Sequence, residues 1–350
     1  MAGDIVAMVL CAGLGTRLRP LTSRLPKPAV PVCGLPLVRY AFALLAGAGA
    51  RRVVVNVHHL PERMADVATA ASRAAGLDLA ISCEPVIAGT GGALREARHA
   101  LAGADAIVVM NGDILFDVDL AAALAAHRAA GALATMVLMP MPPGASYASV
   151  EIDATGAVRR IAGRFGPGGE GLTPWHFTGV HVLSPSLLER VPAVPFEVDV
   201  NRQVYPALMA EGLVRGHVTG GYWNDLGTPE RYLAANEDVL TGRVPLRRFH
   251  GADPFAGLDL FGHPGVWMAP GAHVDAGAVL HAPVYVGAGA RLEAGATAGP
   301  FAIIGDGARV AAGAKLAHAV LWDGTALRPG EEVVHAVAAG DDRVPAAAGR

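Results

Sequence analysis

The stretch Leu10 to Pro28 reads LCAGLGTRLRPLTSRLPKP. Two glycines, Gly13 and Gly15, follow an apolar run, and Arg17, Arg19 and Lys27 come next on a segment stiffened by Pro20, Pro26 and Pro28. The backbone amides of a flexible loop, Gly13 to Thr16, can face an anion. Arginine offers a fork for terminal phosphates and lysine a point charge, so the cations that follow suit a polyphosphate. Two familiar glycine-rich alternatives fail on detail. A dinucleotide turn needs a third glycine where Leu18 stands, and Pro20 would interrupt its helix one turn in. A P-loop needs a lysine after its second glycine, where this chain has Thr16.

Other candidates gain meaning only in company. Asp113 closes NGD and Asp225 lies in YWNDLGT; each alone reads as a cap or turn residue. His58 and His59 are adjacent on a predicted strand end and point to opposite faces, so they do not share an ion. Cys11, Cys33 and Cys83 lack metal-ligand spacing and are odd in number, which fits plain thiols in a reducing compartment. Trp175 and Trp223 are candidates to flank a pocket, although aromatics near strand ends more often fill a core.

These residues need elements to hold them. Short β-branched runs occur at DIVAMVL, RRVVVNV, LAISCE, AIVVMNGD, ATMVLMPM, ASVEID and FTGVHVL. Alanine-rich helical segments are predicted over Leu37 to Ala48, Pro61 to Ala75, Gly92 to Leu101 and Leu120 to Ala130, and a last helix over Pro229 to Leu240, with Thr228 as its N-cap. The alternation predicts an α/β fold: a Rossmann-like, mostly parallel sheet with helices on both faces. Ligands on such sheets bind beyond the carboxyl ends of the strands. The opening loop and NGD both lie at such ends.

From Pro264 the texture changes to blocks of six: PGVWMA, PGAHVD, AGAVLH, APVYVG, AGARLE, AGATAG, PFAIIG, DGARVA, AGAKLA, HAVLWD, GTALRP. The third position is always Ala or Val. The fifth is almost always apolar, from Met268 through Leu316 to Trp322. A hexapeptide period predicts a parallel β-helix with the fifth position stacked inside. The predicted division is a domain over 1–240, a connector over 241–263, hexapeptide repeats over 264–330 and a tail over 331–350, whose final stretch DDRVPAAAGR leaves the phase and is expected to fray.

Composition removes several function classes. The formal charge is −3 across 350 residues, so no basic excess exists to hold a polynucleotide. The amino terminus has no basic n-region, and the most apolar stretch is too short and proline-broken to span a bilayer. The reading is a cytoplasmic protein with no membrane partner.

The whole stretch GLGTRLRPLTSRLPKP resembles the signature loop of the sugar-1-phosphate nucleotidyltransferases, several branches of which carry a C-terminal left-handed β-helix. Four further segments are similar: EPVIAGTGGAL, NGD, FTGVHVLSP and GYWNDLGTPERYLAAN, so that the likeness spans Met1 to about Leu240. The resemblance implies nucleotidyl transfer from a nucleoside triphosphate to a sugar 1-phosphate with release of pyrophosphate. It implies a nucleotide site at Leu10, Ala12, Gly13, Gly15, Thr16 and Arg17, with Glu84, Gly89, Thr90 and Gly91 on the base side. It implies Arg17 on the β- and γ-phosphates and Lys27 at the α-phosphate. Asn111, Gly179 and Asp225 fall on the sugar side, and Asp113 and Asp225 would hold Mg²⁺.

One departure stands out. Many members place Glu-Lys-Pro after the middle strand, where the lysine holds the sugar phosphate. This chain has VRRIAGRFGPGGEGL, leaving Arg159, Arg160 and Arg164 as open substitutes. The base-side pattern is most similar to that of mannose-1-phosphate guanylyltransferases, which favours GTP and mannose 1-phosphate. Uridylyl or thymidylyl transfer to another hexose 1-phosphate is the alternative. A non-catalytic regulatory homologue is a further alternative, as is an acyltransferase using His273, His281 or His318. The β-helix is expected to support a homo-oligomer.

Overall fold

The computed structural model describes residues 4–144, 146–194, 197–249, 251–260 and 264–346. Two compact units form. One comprises Met1–Leu14 and Val38–Trp223; the other comprises Gly15–Leu37 and Asn224–Arg350. The second half of the signature loop and the last predicted helix therefore group with the hexapeptide repeats.

The first unit is built on β1 (Ile5–Leu10), β2 (Arg52–Val57), β3 (Asp78–Cys83), β4 (Ala106–Asn111), β5 (Ala134–Met139), β6 (Ser149–Ile152), β7 (Val158–Ile161), β8 (Thr173–Leu183) and β9 (Val214–Val218). The sheet order is β7-β6-β8-β4-β1-β2-β3, with β5 joining β8 to β9. Pairing is parallel from β4 through β1 and β2 to β3. The eleven-residue β8 runs antiparallel to β4, β5 and β6. Strand β1 is buried along all but its last residue, as a strand covered on both faces must be.

Helices α1 (Leu37–Gly47), α2 (Pro61–Ala75), α3 (Gly89–Glu96), α4 (Leu120–Ala130) and α5 (Tyr205–Ala210) accompany this sheet. Their ends are set locally. Helix α2 has proline in its first turn and stops at Gly76 in the left-handed conformation. The Asp119 carboxylate caps α4 by accepting from Ala122 N–H. The helix predicted over Gly92 to Leu101 instead runs from Gly89 to Glu96. Glycine is a poor helix former, but Gly91 N–H donates to Val198 O at 2.7 Å, and a side chain at Gly89 or Gly91 would come within 2.7 Å of Val198. Tertiary packing overrides local propensity here.

The chain order fixes where a ligand can enter. From β1 the chain steps outward to β2 and β3, then returns to place β4 on the other side of β1. That reversal between β1 and β4 is the topological switch of an open α/β sheet. The register aligns Leu10 with both Asn56 and Asn111 along the carboxyl edge.

In the second unit, three parallel ladders of short strands form a β-helix. One face stacks Val266–Met268, Val284–Val286, Ala302–Ile304 and part of Lys315–Leu321; another stacks His273–Val274, Arg291–Leu292, Arg309–Val310 and Ala326–Leu327. Three hexads make one coil, since Val266 pairs with Val284 and Val284 with Ala302. Then the phase slips: Ala302 pairs with Ala319, one residue short of three hexads, and Lys315 likewise pairs with Glu332. The shortened corner lies at His318, whose φ is +46°.

The slip corrects one sequence expectation. Leu321, not Trp322, stacks with Ile304 inside the coil. Trp322 turns outward, and its indole N–H donates to Tyr232 Oη at 3.0 Å on helix α6 (Pro229–Leu240). The tail is structured too, and the first half of the stretch expected to fray pairs as a strand. Glu332–Ala339 continues the parallel ladder, Asp342–Pro345 closes it antiparallel, and Val333, Ala336 and Ala338 join the core. Residues 347–350 of that tail lie outside the described residues. Among the described residues, no helix is long and apolar enough to cross a membrane.

Candidate active site

The predicted site residues divide between the two units, and each set is well defined by itself. In the second unit the signature loop folds tightly. Gly15 adopts φ +61°, and a side chain there would meet Thr22 at 2.8 Å and Lys27 at 3.2 Å. The Thr22 hydroxyl donates to Gly15 O at 2.9 Å. A short helical turn, Thr16–Leu18, presents Arg17, and a second, Lys27–Ala29, presents Lys27.

These cations meet the closing motif. Lys27 is buried, and its ammonium donates to Asp225 O at 2.6 Å. A Cβ at Gly227 would lie 2.9 Å from a guanidinium nitrogen of Arg17 and 2.9 Å and 3.0 Å from the two Asp225 carboxylate oxygens. Arg17, Lys27 and Asp225 thus converge on one turn, 225–227. Helix α6 starts where predicted, with the Thr228 hydroxyl accepting from Arg231 N–H.

Arg231 was not anticipated. Its guanidinium donates to both Asp225 oxygens, at 2.9 Å and 3.0 Å. Gly227 N–H adds a third bond at 3.1 Å. Burial by itself pushes the Asp225 pKa up, but the Arg231 hydrogen bond and charge, the Gly227 amide and the Lys27 charge outweigh it. The net effect holds the carboxyl below its ordinary value, so it is ionised. The pairing is between residues six apart in sequence and has no local signature.

In the first unit the carboxyl ends of β1, β2, β3 and β4 gather the rest. Gly112 N–H donates to Leu10 O at 2.9 Å, and a side chain at Gly112 would strike Cys11 Sγ at 2.6 Å. NGD therefore lies directly against the root of the opening loop, Leu10 to Ala12. Burial and the charge of Asp113 push the Cys11 thiol up, which leaves it an inert core group. Gly179, at φ +85°, lies against Asn111: a Cβ there would be 2.7 Å from Asn111 Nδ2. The two predicted sugar-side residues are thus neighbours.

In the segment expected to border the base, Thr90 Oγ1 accepts from Val200 N–H at 3.0 Å. The segment 197–200, which carries no recognisable motif, is what Gly89, Thr90 and Gly91 pack upon. Glu84 is buried, and its carboxylate accepts from Asn56 Nδ2 at 2.8 Å and from Ala88 N–H at 2.9 Å. Beside it a cavity of about 340 Å³ is lined by Cys83, Glu84, Val86, Ala88, Arg95 and Glu197.

The three arginines of the departed motif separate. Arg160 pairs with Glu151 at 3.2 Å, and Arg159 donates to Gly168 O at 3.3 Å. Arg164 is exposed, with its guanidinium 4.7 Å from the centre of the Phe165 ring. Trp223 donates to Thr178 O at 2.9 Å and meets His176 edge-on, ring centres 4.3 Å apart. Trp175 instead packs against the hydrophobic core.

The first unit is an open α/β sheet whose switch point lies between β1 and β4. Residues 6–242 match the nucleotidyl transferase family, and the chain belongs to that family. Among its relatives, a mannose-1-phosphate guanylyltransferase of Mycobacterium tuberculosis is 32% identical over 279 residues, covering 79% of this chain and 75% of the relative. A mannose-1-phosphate guanyltransferase of Schizosaccharomyces pombe is 30% identical over 65% of this chain and 62% of its own length. A UTP–glucose-1-phosphate uridylyltransferase of Synechocystis is 30% identical over 68% and 64%. The match thus spans less than two thirds of the latter two. The resemblance drawn from the signature loop, to the sugar-1-phosphate nucleotidyltransferases, is borne out, and with it the class of enzyme.

Proposed function

We propose that this chain transfers the guanylyl group of GTP to mannose 1-phosphate. A phosphate oxygen of the sugar 1-phosphate attacks the α-phosphorus, the bond from that phosphorus to the bridging oxygen breaks, and pyrophosphate leaves in line. No covalent enzyme intermediate is needed. Two anionic phosphates must meet, so catalysis is mainly positioning and charge neutralisation. The observation that carries this reading is the meeting of Arg17 and Lys27 at the 225–227 turn.

In this reading the amides of Gly13 to Thr16 cradle the triphosphate, and Leu10 and Ala12 shape the floor beneath it. Arg17 holds the leaving β- and γ-phosphates as a fork. Lys27, fixed by Asp225 O, neutralises charge at the α-phosphate. The segment with Glu84, Gly89, Thr90 and Gly91 borders the base. Asn111 and Gly179 border the hexose. Of the three open substitutes for the family's lysine, Arg164 is the least engaged, since Arg159 and Arg160 pair within their own loop and sheet.

Asp113 and Asp225 would hold Mg²⁺. The donor chemistry fits: Mg²⁺ takes one or two carboxylates and completes its shell with substrate phosphates and water, and Asp225 is kept ionised. Bound there, the ion would supply Lewis-acid charge to the phosphates. Asp225, which Arg231 holds through both carboxylate oxygens, would share them with the ion. The chain works in the cytoplasm and associates with copies of itself through the β-helix, whose coil faces supply the surface.

The test is pyrophosphate release from four nucleoside triphosphates against mannose, glucose and amino-sugar 1-phosphates, with Mg²⁺. GTP with mannose 1-phosphate is expected to give the highest kcat/KM. A higher value for UTP with glucose 1-phosphate would favour the second reading, which the Synechocystis relative supports. Silence of every pair, with a nucleotide sugar still bound, would favour a regulatory protein.

A further inference from the structure

Glu84 was expected to touch the base, yet its carboxylate faces into the protein. The residue is 5% exposed, and its partner Asn56 is 4% exposed. The bonds form one chain. Cys11 N–H donates to Asn56 Oδ1 at 2.8 Å, Asn56 Nδ2 donates to Glu84 Oε1 at 2.8 Å, and Ala88 N–H donates to Glu84 Oε2 at 2.9 Å. Beyond it, Val198 N–H donates to Ala88 O at 2.9 Å. The Glu84 backbone is tied as well, its N–H to Val57 O at 2.8 Å and its carbonyl to His58 Nδ1 at 2.8 Å.

We infer that Glu84 is a positioning residue: with Asn56 it fixes the base-side segment to the root of the phosphate loop, and so sets the span between base and phosphates. This rests on the nucleotide reading above. A buried carboxylate is costly unless its oxygens are filled, and here each oxygen already has a donor. A base amino group reaching it would enter a buried network that is already paired. What the carboxylate does instead is join two segments that no covalent connection holds at a set distance. Cys11 precedes Gly13 by two residues, and Ala88 immediately precedes the Gly89-Thr90-Gly91 run.

The donor sense of the chain supplies a test that direct base contact would not pass. Glu84→Gln places an amide N–H₂ where only acceptors are wanted, opposing either Asn56 Nδ2 or Ala88 N–H. Asn56→Asp sets two carboxylates face to face. Combined, they restore every bond with one link reversed. The carboxylate introduced by Asn56→Asp accepts from Cys11 N–H and from the amide introduced by Glu84→Gln, whose oxygen accepts from Ala88 N–H. Each single variant is expected to weaken GTP binding about tenfold or more, the penalty of a buried unpaired group. It should raise KM for the nucleotide more than it lowers kcat, and leave KM for the sugar phosphate near wild type. The double variant should return GTP affinity to within about threefold, with the preference for GTP over UTP unchanged.

Equilibrium binding of GTP and turnover are measured side by side. If the wild type binds and turns over but the double variant stays as weak as Glu84→Gln, or its base preference shifts, the carboxylate contacts the base and the inference is wrong. If the wild type binds GTP but transfers nothing, the function is misread, while the rescue of binding still decides the relay. If the wild type binds no nucleoside triphosphate, both fall.

Discussion

Gly227→Ala tests the convergence of charge at the 225–227 turn with almost no change in composition. An added methyl would lie 2.9 Å from a guanidinium nitrogen of Arg17 and 2.9 Å and 3.0 Å from the oxygens of Asp225. Non-bonded heavy atoms settle near 3.5 Å, so each group must retreat by about half an ångström. Both neighbours are the far ends of side chains, so the fold can yield; the expected loss of stability is about 1 kcal/mol. Catalysis cannot yield so easily, because a displacement on the scale of an ångström in a positioning group costs on the order of 100-fold in rate. That is about 2.7 kcal/mol of transition-state stabilisation. The assay is pyrophosphate release with GTP and mannose 1-phosphate, paired with a thermal melt. A variant that melts normally and works within threefold of wild type would refute the placement of Arg17 and Asp225 in the reacting centre.

Other expectations follow from single contacts. Gly179→Ala forces a left-handed backbone onto alanine and presses on Asn111, so KM for the sugar phosphate should rise at least several-fold while KM for GTP holds, as initial rates will show. Leu321→Ala should cost about 2–5 kcal/mol in urea unfolding and Trp322→Phe only about 0.5–1.5 kcal/mol; the reverse order would contradict the slipped register. Burial, with Arg128 nearby, lowers His127 to about 4, while its ring bonds Thr135 and Ser184. The unfolded chain binds that proton near pH 6.5, so stability is full above 6.5 and is lost as the pH falls towards 4. Melts at about pH 7 and about pH 5 should differ, and His127→Asn should shrink the difference.

What the sequence disclosed, and what it withheld, has a physical pattern. The strands that end at Leu10, Val57, Cys83 and Asn111 were legible because β-branched runs and flanking breakers are local signals. Residues Asn111 and Asp113 could be placed beside the loop root because parallel strands end on one side of a sheet. Arg231 was invisible, since nothing in PERYL distinguishes a surface arginine from one that holds Asp225. The start of α3 at Gly89 was hidden by the low helix propensity of glycine, which contact with Val198 overrides. The slip at His318 was masked because Val320, Leu321 and Trp322 are all large and apolar, so either frame of six fits the text. The inward carboxylate of Glu84 was equally unreadable, as it depends on Asn56 from another strand.

The most direct measurement is transfer by Asp113→Asn and Asp225→Asn under saturating GTP, mannose 1-phosphate and Mg²⁺, with GTP binding followed in parallel. If the two carboxylates serve the reacting phosphates, each variant should lose at least about 100-fold in kcat while still melting as a folded protein. Undiminished turnover in Asp113→Asn would contradict the account at its centre.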